Sequence, residues 1–173
     1  MTRAVTSDEA FSRAAPLYDA DEEINVMARW ARKRSLSALL KAFKPGDRVL
    51  EIGCGTGIEA VFLARRGIQI VATDAAPGMI AAVSAKLAEG GSAHDLEGMI
   101  EPVLCPAQDL AGLVERYGEG AFDGVYSSMG PLNCIPDLRP VADTLTKLVR
   151  PGGRVVLGLL NRYCAWETLW YAR

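Results

Sequence analysis

The run Gly53-Cys54-Gly55-Thr56-Gly57 constrains this chain more than any other. It closes a short β-rich segment, Arg48-Val49-Leu50-Glu51-Ile52, and opens a stretch where Ile58, Val61, Phe62 and Arg65 recur at helical spacing. Glycines between a buried strand and a helix let the backbone turn tightly and approach a ligand closely. The helix that follows offers free N–H groups and partial positive charge at its start.

The same strand-then-helix pattern runs through the rest of the chain. Residues 68–73 form a second apolar run ending on Asp74. Pro77 then opens a helix with Met79, Ile80, Val83 and Leu87 on one face. A third strand spans residues 99–104, weakened by Pro102. Leu110, Leu113, Val114 and Tyr117 mark a short helix, residues 122–126 a fourth strand and residues 137–149 another helix. Pro151-Gly152-Gly153 turns into a fifth strand over 154–160. Strands apolar on both faces that alternate with helices predict an α/β fold, a doubly wound and mainly parallel sheet with helices on both faces. Ahead of it, the acidic residues 19–23 lead into a helical pattern of Ile24, Met27, Trp30, Leu36, Leu39, Leu40 and Phe43. That stripe slips near Arg34-Ser35, which reads as one kinked helix or two.

Composition narrows the function. With 173 residues, 50% hydrophobic and 23% charged, the chain is sized for one globular domain. Nineteen Lys+Arg against 21 Asp+Glu leave a net charge of −2, which argues against a nucleic-acid partner. Cys54, Cys105, Cys134 and Cys164 are irregularly spaced beside a single histidine, so no metal site is expected. The polar N-terminus is no signal peptide, and no apolar run reaches the ~18 residues of a membrane span. The expectation is a cytoplasmic protein with reduced thiols and no membrane partner.

In a doubly wound sheet, ligands sit beyond the carboxyl ends of the strands where strand order reverses. Gly53, Gly55 and Gly57 occupy the first such turn, and Asp74 ends the next strand, where a carboxylate accepts from ribose hydroxyls. An adenosine-containing ligand follows. The dinucleotide fingerprint places a third glycine where this chain has Ile58, and Glu51 beside the ligand would repel a pyrophosphate but suits a cation.

At these residues the sequence resembles the class I S-adenosylmethionine-dependent methyltransferases, whose fold is Rossmann-like. Residues 49–57 look like that family's first motif, Asp74 like its ribose-binding acid, and residues 122–126 and 148–153 like its fourth-strand and pre-fifth-strand motifs. Ala10-Phe11-Ser12 with Tyr18-Asp19 is similar to its cofactor-covering segment, which makes residues 1–44 a helical cover and 45–173 the binding domain. The resemblance implies S-adenosylmethionine as cofactor and S-adenosylhomocysteine as product. It places Gly53, Cys54, Gly55 and Gly57 against the methionine part, with Glu51 beside the cation and the Ser127 carbonyl at the ammonium. Tyr18, Ala75 and Met79 complete the cofactor side. The acid that many members use for adenine is replaced by Pro106, which leaves Gln108 or Asp109 for that role and Ala107 for a backbone contact.

Methyl transfer by direct displacement needs alignment more than a catalytic triad, so no catalytic residue is assigned. His94 lies before the third strand, at the amino ends, and reads as a surface histidine. The residues after the fourth strand, Ser127-Ser128-Met129-Gly130-Pro131, match neither the amine-methylating nor the cytosine C5 motif, so a small-molecule acceptor is expected. Cys134 reads as a buried small hydrophobe. Asn133 either points at the acceptor or caps the next helix, and Met129 is a weaker substrate-side candidate. Arg29, Arg32, Lys33 and Arg34 read as a solvated helix face. Only five of the family's seven strands are visible, which makes the chain a fragment or leaves the fifth strand to a partner, a second copy included. Trp166, Trp170 and Tyr171 would then be exposed. Two other readings remain: a non-catalytic S-adenosylmethionine-binding module, and a nicotinamide-dependent oxidoreductase, with which Ile58 and Glu51 conflict.

Overall fold

The computed structural model describes residues 6–161. Two helices come first, α1 (Ser7–Ile24) and α2 (Val26–Ala42). They are separated by Asn25, whose side-chain oxygen accepts from the backbone N–H groups of Met27 at 3.1 Å and Ala28 at 3.0 Å, an N-cap that starts α2. The break therefore falls at Asn25, and α2 runs unbroken through Arg34 and Ser35. The acidic stretch 19–23 forms the last turns of α1 rather than the start of a helix. The apolar stripe misplaced the break because much of it is not core: Ile24, Met27 and Trp30 are 79%, 69% and 57% exposed, while Leu39 and Phe43 are buried.

The alternating part follows as β1 (Arg48–Ile52), α3 (Ile58–Ala64), β2 (Gln69–Asp74), α4 (Pro77–Leu87), β3 (Ile100–Leu104), α5 (Ala111–Tyr117), β4 (Phe122–Ser127), α6 (Arg139–Leu148) and β5 (Val149–Leu157). The five strands form one parallel sheet in the order β3-β2-β1-β4-β5. The chain moves outward from β1 to β3 and then returns to the other side of β1. The reversal therefore lies between β1 and β4, where Val49 pairs with Gly124 and Glu51 with Tyr126.

Successive strand residues feed opposite layers, as the period of two requires. Val49, Ile70, Ala72 and Tyr126 pack with Leu39, Phe43, Leu63 and Val83. Leu50, Ile52, Val71 and Val125 pack with Leu113, Val141, Leu145 and Leu148 on the other side. This two-sided burial is why the strands read as continuous apolar runs. Pro102 does not interrupt β3, because β3 is an edge strand and an edge tolerates a missing N–H.

The fifth strand differs from its sequence reading. It begins at Val149, and the turn residues 151–153 form an irregularity inside it: Phe122 pairs with Val149, and regular pairing resumes at Gly124 with Arg154. It ends at Leu157 rather than Leu160, since the Gly158 N–H closes on the Ser127 carbonyl at 2.7 Å and the chain turns away. No described strand pairs with its outer edge, where Val155 and Leu157 are exposed. Trp166, Trp170 and Tyr171 lie outside the described residues.

Candidate functional site

The end of β1 becomes a loop because two backbone N–H groups, of Gly53 and Cys54, both turn onto the Thr73 carbonyl of β2, at 2.8 and 2.9 Å. Gly53 takes φ +72°, and a Cβ there would lie 2.3 Å from the Cβ of Pro131. The loop after β4 thus rests directly on the end of β1, and only glycine allows it. Gly55 takes φ +53°, and a Cβ there would meet only Tyr18, at 4.0 Å. This position faces open space rather than protein.

That space is a cavity of about 340 Å³ at the carboxyl ends of the strands, across the β1/β4 reversal. Its floor is Gly53, Cys54, Gly55 and Thr56. Asp74, Ala75, Ala76 and Met79 line one side, with Cys105, Ala107 and Gln108 beyond them. The loop after β4, Ser128 to Ile135, forms the opposite wall with Leu160, and α1 closes the top with Ser7, Asp8, Phe11 and Tyr18. Asp74 is fixed by two backbone donors, Gly55 N–H on Oδ2 at 2.9 Å and Ala76 N–H on Oδ1 at 2.8 Å. Each carboxylate oxygen keeps acceptor capacity for a ligand.

The structure thus brings Tyr18, Gly53, Cys54, Gly55, Asp74, Ala75, Met79, Ala107, Gln108, Met129 and Asn133 onto one cavity. Glu51, Gly57, Asp109 and Ser127 stand back from its wall. Ser127 also serves the fold: its hydroxyl donates to the Ile52 carbonyl at 2.9 Å and its own carbonyl accepts from Gly158. Glu51 is 1% exposed and lies beneath the loop. Burial pushes its carboxyl well above the usual carboxylate range, Glu59 adds to this, and the nearby Tyr126 hydroxyl and Arg32 oppose it. Burial likewise raises the Cys54 thiol, with Glu51 next in effect, so Cys54 is a neutral wall residue. His94 is exposed in a short turn before β3, away from the cavity.

Three side chains depart from their sequence readings. Cys134 is exposed and lines the cavity rather than filling the core, because it sits in a single 3-10 turn, Pro131–Cys134, whose Leu132 is the buried member. Asn133 does not cap α6: its amide grips the Leu160 backbone twice, donating to the carbonyl and accepting from the N–H, both at 2.9 Å, and keeps one N–H and one lone pair on the cavity it lines. Arg32 is not on a solvated face. Its side chain is 12% exposed, ion-pairs with the 4% exposed Glu59, and reaches the cavity wall.

Several contacts escaped the sequence reading because they join residues far apart in the chain. The Ser12 hydroxyl of α1 accepts from Gly78 N–H of α4 at 3.2 Å, and the hydroxyls of Ser35 and Ser128 lie 2.7 Å apart. The Thr56 hydroxyl donates to Asp19, and Lys86 donates to the Thr56 carbonyl and ion-pairs with Asp19. The one available signal was the Tyr18-Asp19 pair itself.

Comparison with known proteins agrees with this geometry. A family model described as a methyltransferase domain matches residues 23–172. A ubiquinone biosynthesis O-methyltransferase from Xanthomonas campestris pv. campestris is 34% identical over 118 residues, 68% of this chain and 45% of that protein. The chain spans less than half the length of the curated relatives it matches. Among solved structures, a proposed S-adenosyl-L-methionine-dependent methyltransferase from Methanococcus maripaludis superposes with a TM-score of 0.71 at 16% identity, covering 91% of this chain and 67% of that one. A phosphoethanolamine N-methyltransferase 2 from Haemonchus contortus, in complex with phosphomonomethylethanolamine and S-adenosylhomocysteine, gives 0.62 at 20% identity over 81% of this chain and 32% of that one. At these identities the structural likenesses concern the fold.

Proposed function

The chain belongs to the methyltransferase-domain family, and from that premise we propose that it binds S-adenosylmethionine and catalyses methyl transfer to a small-molecule acceptor. The observation that carries this reading is the cavity at the β1/β4 reversal, floored by a side-chain-free Gly55 and walled by an oriented Asp74. The residues fit the cofactor. The floor leaves room where any Cβ would intrude, and Asp74 retains acceptor capacity for a ribose diol. Met79 offers an apolar surface on the same wall as the Asp74 carboxylate, and Ala107 and Gln108 lie where an adenine edge would be read. Asp109 stands outside the cavity, so Gln108 is the better adenine partner of the two.

When bound, the cofactor supplies a methyl group already activated for displacement. The task left to the chain is to hold the acceptor in line and keep water out, and alignment alone is worth ~7–11 kcal/mol in well-oriented systems. Phe11, Met129, Leu132 and Ile135 give the acceptor side an apolar lining, which supports an apolar small molecule. The names of the curated relatives support an oxygen acceptor. On this reading residues 1–44 are the cover and 45–173 the binding domain. Its compartment is the cytoplasm, in keeping with the unpaired thiols of Cys54, Cys105 and Cys134. The outer edge of β5 is a pairing edge, for further chain of a longer protein or for a second copy.

The test is calorimetric titration of the protein with S-adenosylhomocysteine, beside NADH. Binding of the former alone is expected. Binding of NADH would replace the reading with an oxidoreductase, and cofactor binding without turnover on any acceptor would leave a binding module. Asp74→Ala is expected to weaken S-adenosylhomocysteine by about 1–3 kcal/mol through loss of charge-assisted hydrogen bonds. Unchanged affinity in that variant would remove the ribose assignment.

A further inference from the structure

The apex of the glycine loop is held by groups that methyl transfer itself does not call on. Thr56, between Gly55 and Gly57, is 2% exposed and is gripped at both its polar ends. Its hydroxyl donates to Asp19 Oδ1 on α1, and its carbonyl accepts from Lys86 Nζ on α4 at 2.7 Å. The same ammonium pairs with Asp19 Oδ2 at 2.6 Å, closing a ring of three residues from three elements. Asp19 directly follows Tyr18, whose ring stands over Gly55, and α1 carries Phe11 onto the same cavity.

Two physical points separate this ring from ordinary structural support. A loop with three glycines at positive φ has many accessible conformations, so a binding geometry there must be imposed from outside. The Asp19 and Lys86 side chains are 44% and 21% exposed, and ion pairs open to solvent contribute little to global stability. Their leverage is local. They set which loop conformation is populated, and they fasten α1 to it.

We propose that Asp19 and Lys86 are positioning residues that lock the glycine loop and α1 into one unit, with Thr56 as the shared anchor, and that cofactor affinity depends on this lock. The proposal rests on reading the cavity as the S-adenosylmethionine site.

The experiment is a double-mutant cycle with Asp19→Asn, Thr56→Val and the pair together, plus Lys86→Met and Lys86→Arg. Each variant is measured by S-adenosylhomocysteine calorimetry, amide hydrogen exchange and thermal melting. Asp19→Asn and Thr56→Val are each expected to lose about tenfold in affinity, and the double variant no more than the worse single, because they share one bond. Lys86→Met is expected to weaken binding similarly and Lys86→Arg to restore much of it. Amide exchange is expected to rise in α1 and residues 53–57 while β1 stays protected and melting is nearly unchanged. Unchanged affinity in the single variants, additive losses in the double, or losses that track a fall in melting temperature would each overturn the proposal. Absence of binding by the unaltered protein would instead overturn the site reading, and the lock with it.

Discussion

At residue scale, the site is built from close approaches and buried charge. Gly53 is required by Pro131 rather than by a ligand alone, since its missing Cβ is the space the pyrrolidine ring occupies. Gly53→Ala combines that clash with a positive φ and is expected to destabilise the fold by about 1–3 kcal/mol, read as a lower denaturant midpoint at constant slope. Glu51 makes a second prediction. Burial holds its carboxyl well above the usual carboxylate range, so the folded form holds its proton more tightly than the unfolded chain. That contribution is complete in acid below the unfolded value and is lost as pH rises toward and through the raised folded value. Glu51→Gln, which stays uncharged, is expected to flatten the fall in stability above about pH 4.5. An unaltered slope of stability against pH in that variant would assign the effect to another group. The sequence led to the expectation of Glu51 beside a cationic ligand, and the structure places it buried beneath the glycine loop. Its burial among Glu59, Tyr126 and Arg32 depends on α2 and α3 packing side by side on one face of the sheet.

At the scale of elements, helices and loops are tied together by side chains reading distant backbone. Asn133 is the clearest case, with two hydrogen bonds that fasten Leu160, just past β5, to the loop after β4. Both are solvent-accessible, so Asn133→Ala is expected to cost only about 1 kcal/mol in total. Its visible effect belongs to the wall: amide exchange at residues 158–160 is expected to rise by an order of magnitude or more, with β4 unaffected. Equal protection in that variant would mean that packing of Leu160 on Gly130 holds the segment instead. The helix break at Asn25 belongs to the same scale. A cap is a local signal, but here a stripe of exposed apolar residues outweighed it.

For the whole molecule, the consequence of a doubly wound sheet is that one end carries the chemistry. All three described cysteines, Cys54, Cys105 and Cys134, line the cavity at that end, yet they differ in access: the first two are buried and Cys134 is exposed. A maleimide reagent under native conditions is expected to modify Cys134 well ahead of Cys54 and Cys105. Saturating S-adenosylhomocysteine is expected to slow Cys54 and Cys105 further, since they belong to the floor and to the wall proposed for adenine, while leaving Cys134 largely reactive. Peptide mapping of the labelled protein checks both statements, and protection of Cys134 alone would move the ligand to the acceptor side. The described part of the molecule contains no helix long and apolar enough to cross a membrane.

What the sequence determined by itself is everything written in short-range chemistry. Two-sided apolar runs alternating with helical periods imply the parallel sheet. Glycines at a strand end imply a loop that a ligand can approach, and an acid ending the next strand lies on the same cavity. Each of these needs only a few neighbouring residues and the handedness of strand-helix-strand crossovers. The tertiary structure alone decided which distant groups meet at the strand ends: Pro131 on Gly53, Arg32 on Glu59, and Asp19 and Lys86 on Thr56. Those meetings depend on strand order, register and the path of α1 and α2 across the sheet, and no local pattern encodes a contact between elements whose approach is set by the packing of everything between them.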